Sequence, residues 1–160
     1  ILSVVAIVRE SGVNPGRINF EVTETALMAD LEQAQDSIQL LKALGAKISL
    51  DDFGTGYSSL SYVHRFPFDT IKIDRSFVFN IENTEASRAV IRSVVDLCHS
   101  LNIGCLVEGI ETPSQARTLL NLGCTEMQGY LFSKPLPEED VPHFLANQTI
   151  ARKASLAWAG

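Results

Sequence analysis

Four carboxylates, one lysine and one glutamine stand where they could act on the same molecule. Asp51 and Asp52 are adjacent and follow Ala46-Lys47-Ile48-Ser49-Leu50, a short apolar run that predicts a buried strand. Glu21 closes a run from Arg17 to Val22, Glu108 follows Cys105-Leu106-Val107, Lys72 lies between Ile71 and Ile73, and Gln128 ends the run from Thr125. Each therefore sits at the C-terminal end of a predicted strand. Adjacent carboxylates repel, which raises the pKa of one of them, and a divalent cation removes that cost. Glu21, Asp51, Asp52 and Glu108 offer oxygen donors only, which suits the hard cations Mg²⁺ or Mn²⁺. Two such ions about 3.5–4 Å apart clamp the attacking and leaving oxygens of an in-line phosphoryl displacement. Lys72 would neutralise a phosphate charge or position the attacking water, and Gln128 would hold a water or a base edge. The plain alternatives are an Asp-rich turn, a lysine paired with Asp74 and a satisfied glutamine.

The elements that must position these groups alternate in type. A helix-like segment from Leu2 to Ser11 precedes the first strand. Helices are predicted from about Asp30 to Leu44, with Gly45 as C-cap, and from about Thr84 to Leu101. Thr112-Pro113-Ser114-Gln115 reads as a capping box that opens the next helix, and a last helix is predicted from Glu138 to Asn147. Strand and helix alternate five times, which predicts an all-parallel sheet. An open doubly wound sheet gathers its ligand groups at one switch point. A (β/α)8 TIM-like barrel brings every strand's C-terminal end to one mouth, which fits polar groups at five strand ends. About five β/α units are present, so the chain is expected to be an N-terminally truncated barrel, organised as residues 1–147 with a tail over 148–160.

Composition narrows the function. The 160 residues carry a net charge of −6, which argues against a grip on polymeric nucleic acid. No apolar run is long enough to span a membrane, so neither a membrane contact from this segment nor a signal peptide within it is expected. Cys98, Cys105 and Cys124 lie in or beside apolar runs and read as reduced core residues, which fits a cytoplasmic protein. His64 and His99 are isolated and are read not as ligands but as surface residues, His64 in a loop and His99 on a helix.

Five ordered segments then add a resemblance. Phe20-Glu21-Val22-Thr23-Glu24, the run from Asp51 to Leu60, Thr70-Ile71-Lys72-Ile73-Asp74-Arg75-Ser76-Phe77-Val78, Val107 to Thr112, and Gly123 to Leu131 with Pro135-Leu136-Pro137 are collinear. In them the chain strongly resembles the EAL domain family of cyclic-di-GMP phosphodiesterases. The resemblance implies a (β/α)8-type barrel that uses two Mg²⁺ or Mn²⁺ ions to hydrolyse cyclic di-GMP to linear pGpG in bacterial signalling. By motif, Glu21 and Asp51 would hold one ion, while Asp51, Asp52 and Glu108 would hold the other. Lys72 and Gln128 would position the nucleophilic water. Glu24 and the loop with Thr55 and Gly56 would order the metal site and a homodimer surface. Glu111 would shape the pocket, and Phe53, Tyr130 and Pro135 would touch substrate.

The Glu-Ala-Leu signature that names the family and an Asn ligand after it are absent from this sequence. The expected parent is therefore an active phosphodiesterase with an upstream sensory or diguanylate-cyclase-like domain, of which this segment alone turns over slowly or not at all. The competing expectations are a catalytically inactive cyclic-di-GMP receptor or scaffold and, more distantly, another phosphate-handling barrel.

Overall fold

The computed structural model describes residues 1–54 and 60–147. The elements run α1 (Leu2–Glu10), β1 (Asn19–Thr23), α2 (Glu24–Ala29), α3 (Leu31–Leu44), β2 (Lys47–Phe53), α4 (Leu60–Arg65), β3 (Thr70–Ile73), α5 (Glu85–Leu101), β4 (Gly104–Val107), α6 (Pro113–Asn121) and β5 (Glu126–Met127). A further helix spans residues 141–147, after a 3₁₀ turn at Glu138–Asp140.

Local chemistry sets the boundaries. Asp30 caps α3 by accepting from Gln33 N, and Gly45, at φ 95°, ends it in the left-handed conformation. Thr112 and Gln115 form the full capping box of α6, with Pro113 at its first position. In α5 the buried residues Ile91, Val94, Val95 and Cys98 recur at helical spacing and form one apolar stripe. Two features depart from the sequence expectation. The segment between β1 and the helix expected from about Asp30 is itself helical, because Thr23 accepts from Ala26 N and starts α2 at Glu24. Strand β2 also runs on through Asp51 and Asp52 to Phe53.

The five strands form one parallel sheet in the order β1-β2-β3-β4-β5. Parallel crossovers are right-handed as a rule, so connections between successive neighbours put their helices on one face. A doubly wound sheet would reverse its strand order at a switch point, and none occurs here. This is the arrangement of successive units in a (β/α)8 barrel.

Alternation along the strands divides the sheet into two faces. Ile48, Leu50, Ile71, Ile73 and Val107 are buried together with Ile38 and Leu41 of α3 and Ile91, Val95 and Cys98 of α5. Their neighbours in sequence, Asn19, Glu21, Ser49, Asp51, Thr70 and Lys72, belong to the opposite face. Asn19 and Ser49 hydrogen-bond to each other there at 2.8 and 3.0 Å. At the strands' N-terminal end, the Asp69 carboxylate accepts from Ile48 N and from Lys42 Nζ, which ties α3 to β2 and to the entry of β3.

Candidate functional site

The Asp51-Asp52 pair owes its presentation to an irregularity in β2. Leu50 lies opposite Ile71 and Phe53 opposite Ile73, so Asp51 and Asp52 together face the single residue Lys72. Two residues against one is a β-bulge, a device that re-aims side chains beside functional sites. Asp52 takes the extra turn at φ 54°, a conformation Asp tolerates better than most side chains. Strict alternation would send Phe53 to the polar face beside Asp51. The bulge instead returns it to the apolar side, where it is 6% exposed within the core. Phe53, expected to touch substrate, is therefore a core residue.

Lys72 occupies the centre of the polar face and is only 5% exposed. Its Nζ lies 2.8 Å from Glu21 Oε2, 2.9 Å from Asp51 Oδ1 and 2.8 Å from Glu108 Oε1. Burial by itself would push the ammonium's pKa down. The carboxylates of Glu108, Glu21 and Asp51 outweigh that and hold it above the ordinary lysine value. Lys72 therefore stays protonated at neutral pH and cannot serve as a base. Three carboxylates against one ammonium leave the cluster two charges negative. Asp51 Oδ1 is buried and, although within ion-pair distance of Lys72, makes no well-aligned hydrogen bond. Oxygen-only donors with surplus negative charge and an incompletely satisfied carboxylate fit a hard divalent cation. Among the described residues no three acidic, histidine or cysteine side chains form a ready cage, because Lys72 itself takes the point of convergence.

The neighbouring strands hold the other groups in place. Glu108 lies just past β4, and its N–H donates to Ile73 O. Gln128, just past β5, donates its N–H to Val107 O and accepts from Ile110 N. Glu108 and Gln128 line a cavity of about 200 Å³ with Arg75, Glu111 and Tyr130. Beside it, a larger cavity of about 680 Å³ is lined by Asp74, Arg75, Ser76, Phe79, Glu111 and Gln115. The 3₁₀ turn Arg75–Phe77 separates the two acid-bearing segments. The Phe77 ring stands 2.8 Å from where a Cβ on Gly54 would be, and Arg75 Cβ fills the place of one on Gly109. Both glycines have positive φ, and each lies within two residues of a carboxylate of the site.

The structure thus brings Glu21, Asp51, Lys72 and Glu108 into contact and places Asp52 and Gln128 on the adjoining segments. Glu24 opens α2 at 6% exposure, so it is not a solvated helix-start acid, and its charge sits favourably at a helix N-terminus. Glu111 is exposed, lines both cavities and donates its N–H to Gln115 Oε1. Tyr130 is largely exposed, with Lys134 Nζ 5.9 Å from its ring, and Pro135 is also exposed. His64 and His99 are exposed, as expected, though His64 lies in α4 and not in a loop. Thr55 and Gly56 lie outside the described residues. Sequence reasoning missed the bulge and the packing of Arg75 on Gly109. The one local hint was Phe53, an apolar residue out of phase with Ile48 and Leu50.

With this geometry in hand, comparison with known proteins is decisive. Residues 2–135 match the EAL domain. The chain belongs to the EAL domain family. This EAL chain is 44% identical over 150 residues to an uncharacterised protein of Synechocystis, covering 94% of this chain and 22% of that protein. It is 42% identical over 140 residues to the cyclic di-GMP phosphodiesterase RocR of Pseudomonas aeruginosa, covering 88% of this chain and 35% of RocR. The EAL domain of Mycobacterium smegmatis DcpA superposes with a TM-score of 0.83 at 37% identity, over 91% of this chain and 65% of that one. Klebsiella pneumoniae BlrP1, in complex with manganese and cyclic di-GMP, superposes at 0.79 with 35% identity, over 83% of this chain and 34% of BlrP1. A calcium complex of BlrP1 with the same dinucleotide is also similar. The chain spans between 16% and 22% of the length of three of the curated relatives it matches. Among the described residues, no helix is long and apolar enough to cross a membrane.

Proposed function

We propose that these 160 residues form part of a cyclic-di-GMP phosphodiesterase domain that cleaves one phosphodiester to give linear pGpG. The observation that carries this reading is the convergence of Glu21, Asp51 and Glu108 within 2.9 Å of Lys72, at the C-terminal ends of four adjacent parallel strands. In such a sheet this is the end where chemistry is placed. Glu21 and Asp51 would hold one Mg²⁺ or Mn²⁺ ion, and Asp51, Asp52 and Glu108 a second. When bound, the ions would lower the pKa of a coordinated water and offset charge on the phosphate.

The chain's own residues do the rest. Lys72, held protonated, donates toward the attacking water or the phosphate oxygens and orients them. Gln128, pinned to β4 through its backbone, positions the same water from the far side of Glu108. Glu24 steadies the start of α2, and with it the chain that follows Glu21. The water's oxygen forms a bond to phosphorus while the bond from phosphorus to the 3′ oxygen breaks. The phosphate therefore stays on the 5′ end, as pGpG requires.

On the same reading residues 1–147 belong to the phosphodiesterase domain and 148–160 to a tail. The protein works in the cytoplasm as a homodimer, under the control of a further domain. The test is hydrolysis of cyclic di-GMP by the full natural chain in Mn²⁺, with pGpG separated by chromatography. Turnover that falls to background in Asp51→Asn supports the reading. Binding of cyclic di-GMP without turnover by the unsubstituted protein would replace it with the receptor reading.

A further inference from the structure

Among the described residues the reaction cluster holds a single cation, Lys72, and its ammonium already faces three carboxylates. A lysine ammonium carries three N–H donors, and Glu21, Asp51 and Glu108 stand at 2.8–2.9 Å from Lys72 Nζ. The cluster is net negative, and Glu111, Asp74 and Asp52 add to that charge nearby. A cyclic dinucleotide brings two phosphodiester charges of its own. Some cation outside the cluster must meet the phosphate that is not being cleaved.

Among the described residues, Arg75 is the one basic residue lining either cavity beside Glu108, and it lines both of them. It is exposed and forms no ion pair among the described residues; the adjacent Asp74 carboxylate accepts from Ser76 N, and the Arg75 charge reaches it only as one of several influences that lower its pKa. Its stem is nonetheless fixed. Arg75 Cβ packs on Gly109 so closely that no larger residue fits there, and Gly109 directly follows Glu108. A guanidinium held by its stem next to the reacting cluster, with its head in an open cavity, is built to grip an anion.

We propose that Arg75 is the substrate-binding residue that takes the uncleaved phosphodiester, donating two parallel N–H bonds to its non-bridging oxygens. This assignment rests on the phosphodiesterase reading of the site. It makes Arg75 a determinant of affinity for a doubly anionic ligand, and leaves the chemical step to the cluster around Lys72.

The test is equilibrium binding of cyclic di-GMP in Ca²⁺, the ion found with the dinucleotide in one BlrP1 structure. The full chain, Arg75→Met and Arg75→Lys are compared at low and high salt, with melting temperatures recorded. Arg75→Met keeps the stem over Gly109 and removes the charge. It should weaken binding about ten- to hundredfold at low salt, the worth of charge-assisted hydrogen bonds. It should also flatten the salt dependence and leave the melting temperature unchanged. Arg75→Lys should restore the salt dependence but only part of the affinity, because lysine is a point charge. Equal binding by the full chain and Arg75→Met would overturn the assignment alone. A loss just as large at high salt would also overturn it, since that marks contact with a neutral base. No binding by the unsubstituted chain would overturn the ligand reading together with it.

Discussion

The two faces of the β1–β4 strands are built from alternating residues of the same short segments, yet they do opposite work. On the helix side, Ile48, Leu50, Ile71, Ile73 and Val107 vanish into a core with α3 and α5. On the other side, Glu21, Asp51 and Lys72 form a charged cluster, joined from just past β4 by Glu108. The apolar face gains free energy from burial, about 1.5–3 kcal/mol for each large aliphatic side chain. The polar face gains little net stability, because desolvating charges offsets much of their attraction. Stability and chemistry are thus separated by a single residue of register. The bulge at Asp51-Asp52 is where that separation is adjusted, since it sets two residues opposite Lys72, keeps Asp51 within reach of it and sends Phe53 to the core.

That contrast can be broken deliberately. The largest effect is expected on the polar face. Lys72→Met conserves stem volume and should leave the full chain folded, while turnover of cyclic di-GMP falls about 10²–10³-fold, the usual loss on removing a positioned electrostatic group. Near-normal turnover would make Lys72 a structural residue. One position away, Ile71→Ala should do the reverse. It deletes a fully buried side chain and should cost about 2–5 kcal/mol of stability, read by denaturant unfolding. Turnover per folded molecule should be retained.

Gly129→Ala probes the seam between the faces. A Cβ there would run into the Ile110 backbone, which cannot move aside without disturbing the hydrogen bonds from Ile110 to Gln128 and from Leu131 to Ile110. A loss of about 1–3 kcal/mol is expected, within the range for overpacking. A melting temperature equal to the parent's would show the loop to be slack. The smallest effect concerns pH on the apolar side. Burial pushes the Cys124 thiol up to about 12. In the unfolded chain it ionises near its ordinary value of about 8.5, so the unfolded state binds fewer protons above that pH. Its contribution to stability is complete below about 8.5 and declines as pH rises toward 12. Cys124→Ala should flatten that decline in chemical denaturation curves, and an unchanged slope would contradict the buried-thiol account.

Much of this arrangement was legible in the sequence because it depends on local rules. Thr112 and Gln115 announced the start of α6, Asp30 and Gly45 bracketed α3, and the placement of acids after apolar runs announced the mouth of a parallel sheet. Lys72 was expected at the same barrel mouth as the acids, and it contacts Asp51, Glu108 and Glu21 there. What escaped depends on pairing between distant strands. The bulge exists only because β2 has one residue more than β3 between two matched pairs, and neither strand shows that alone. The fate of Phe53 follows from it. The packing of Arg75 on Gly109 joins segments more than thirty residues apart, so no local pattern marks it. Helix α2 is only six residues long and carries too little periodicity to announce itself.

The central claim is that the acids around Lys72 form a divalent-cation site. The most direct measurement is a Mn²⁺ titration of the full chain, followed by the loss of the free-ion paramagnetic signal, with Asp51→Asn in parallel. The account predicts saturable binding by the unsubstituted chain and binding at least tenfold weaker in the variant, because the shared carboxylate is lost. Equal affinity in the two proteins would contradict it.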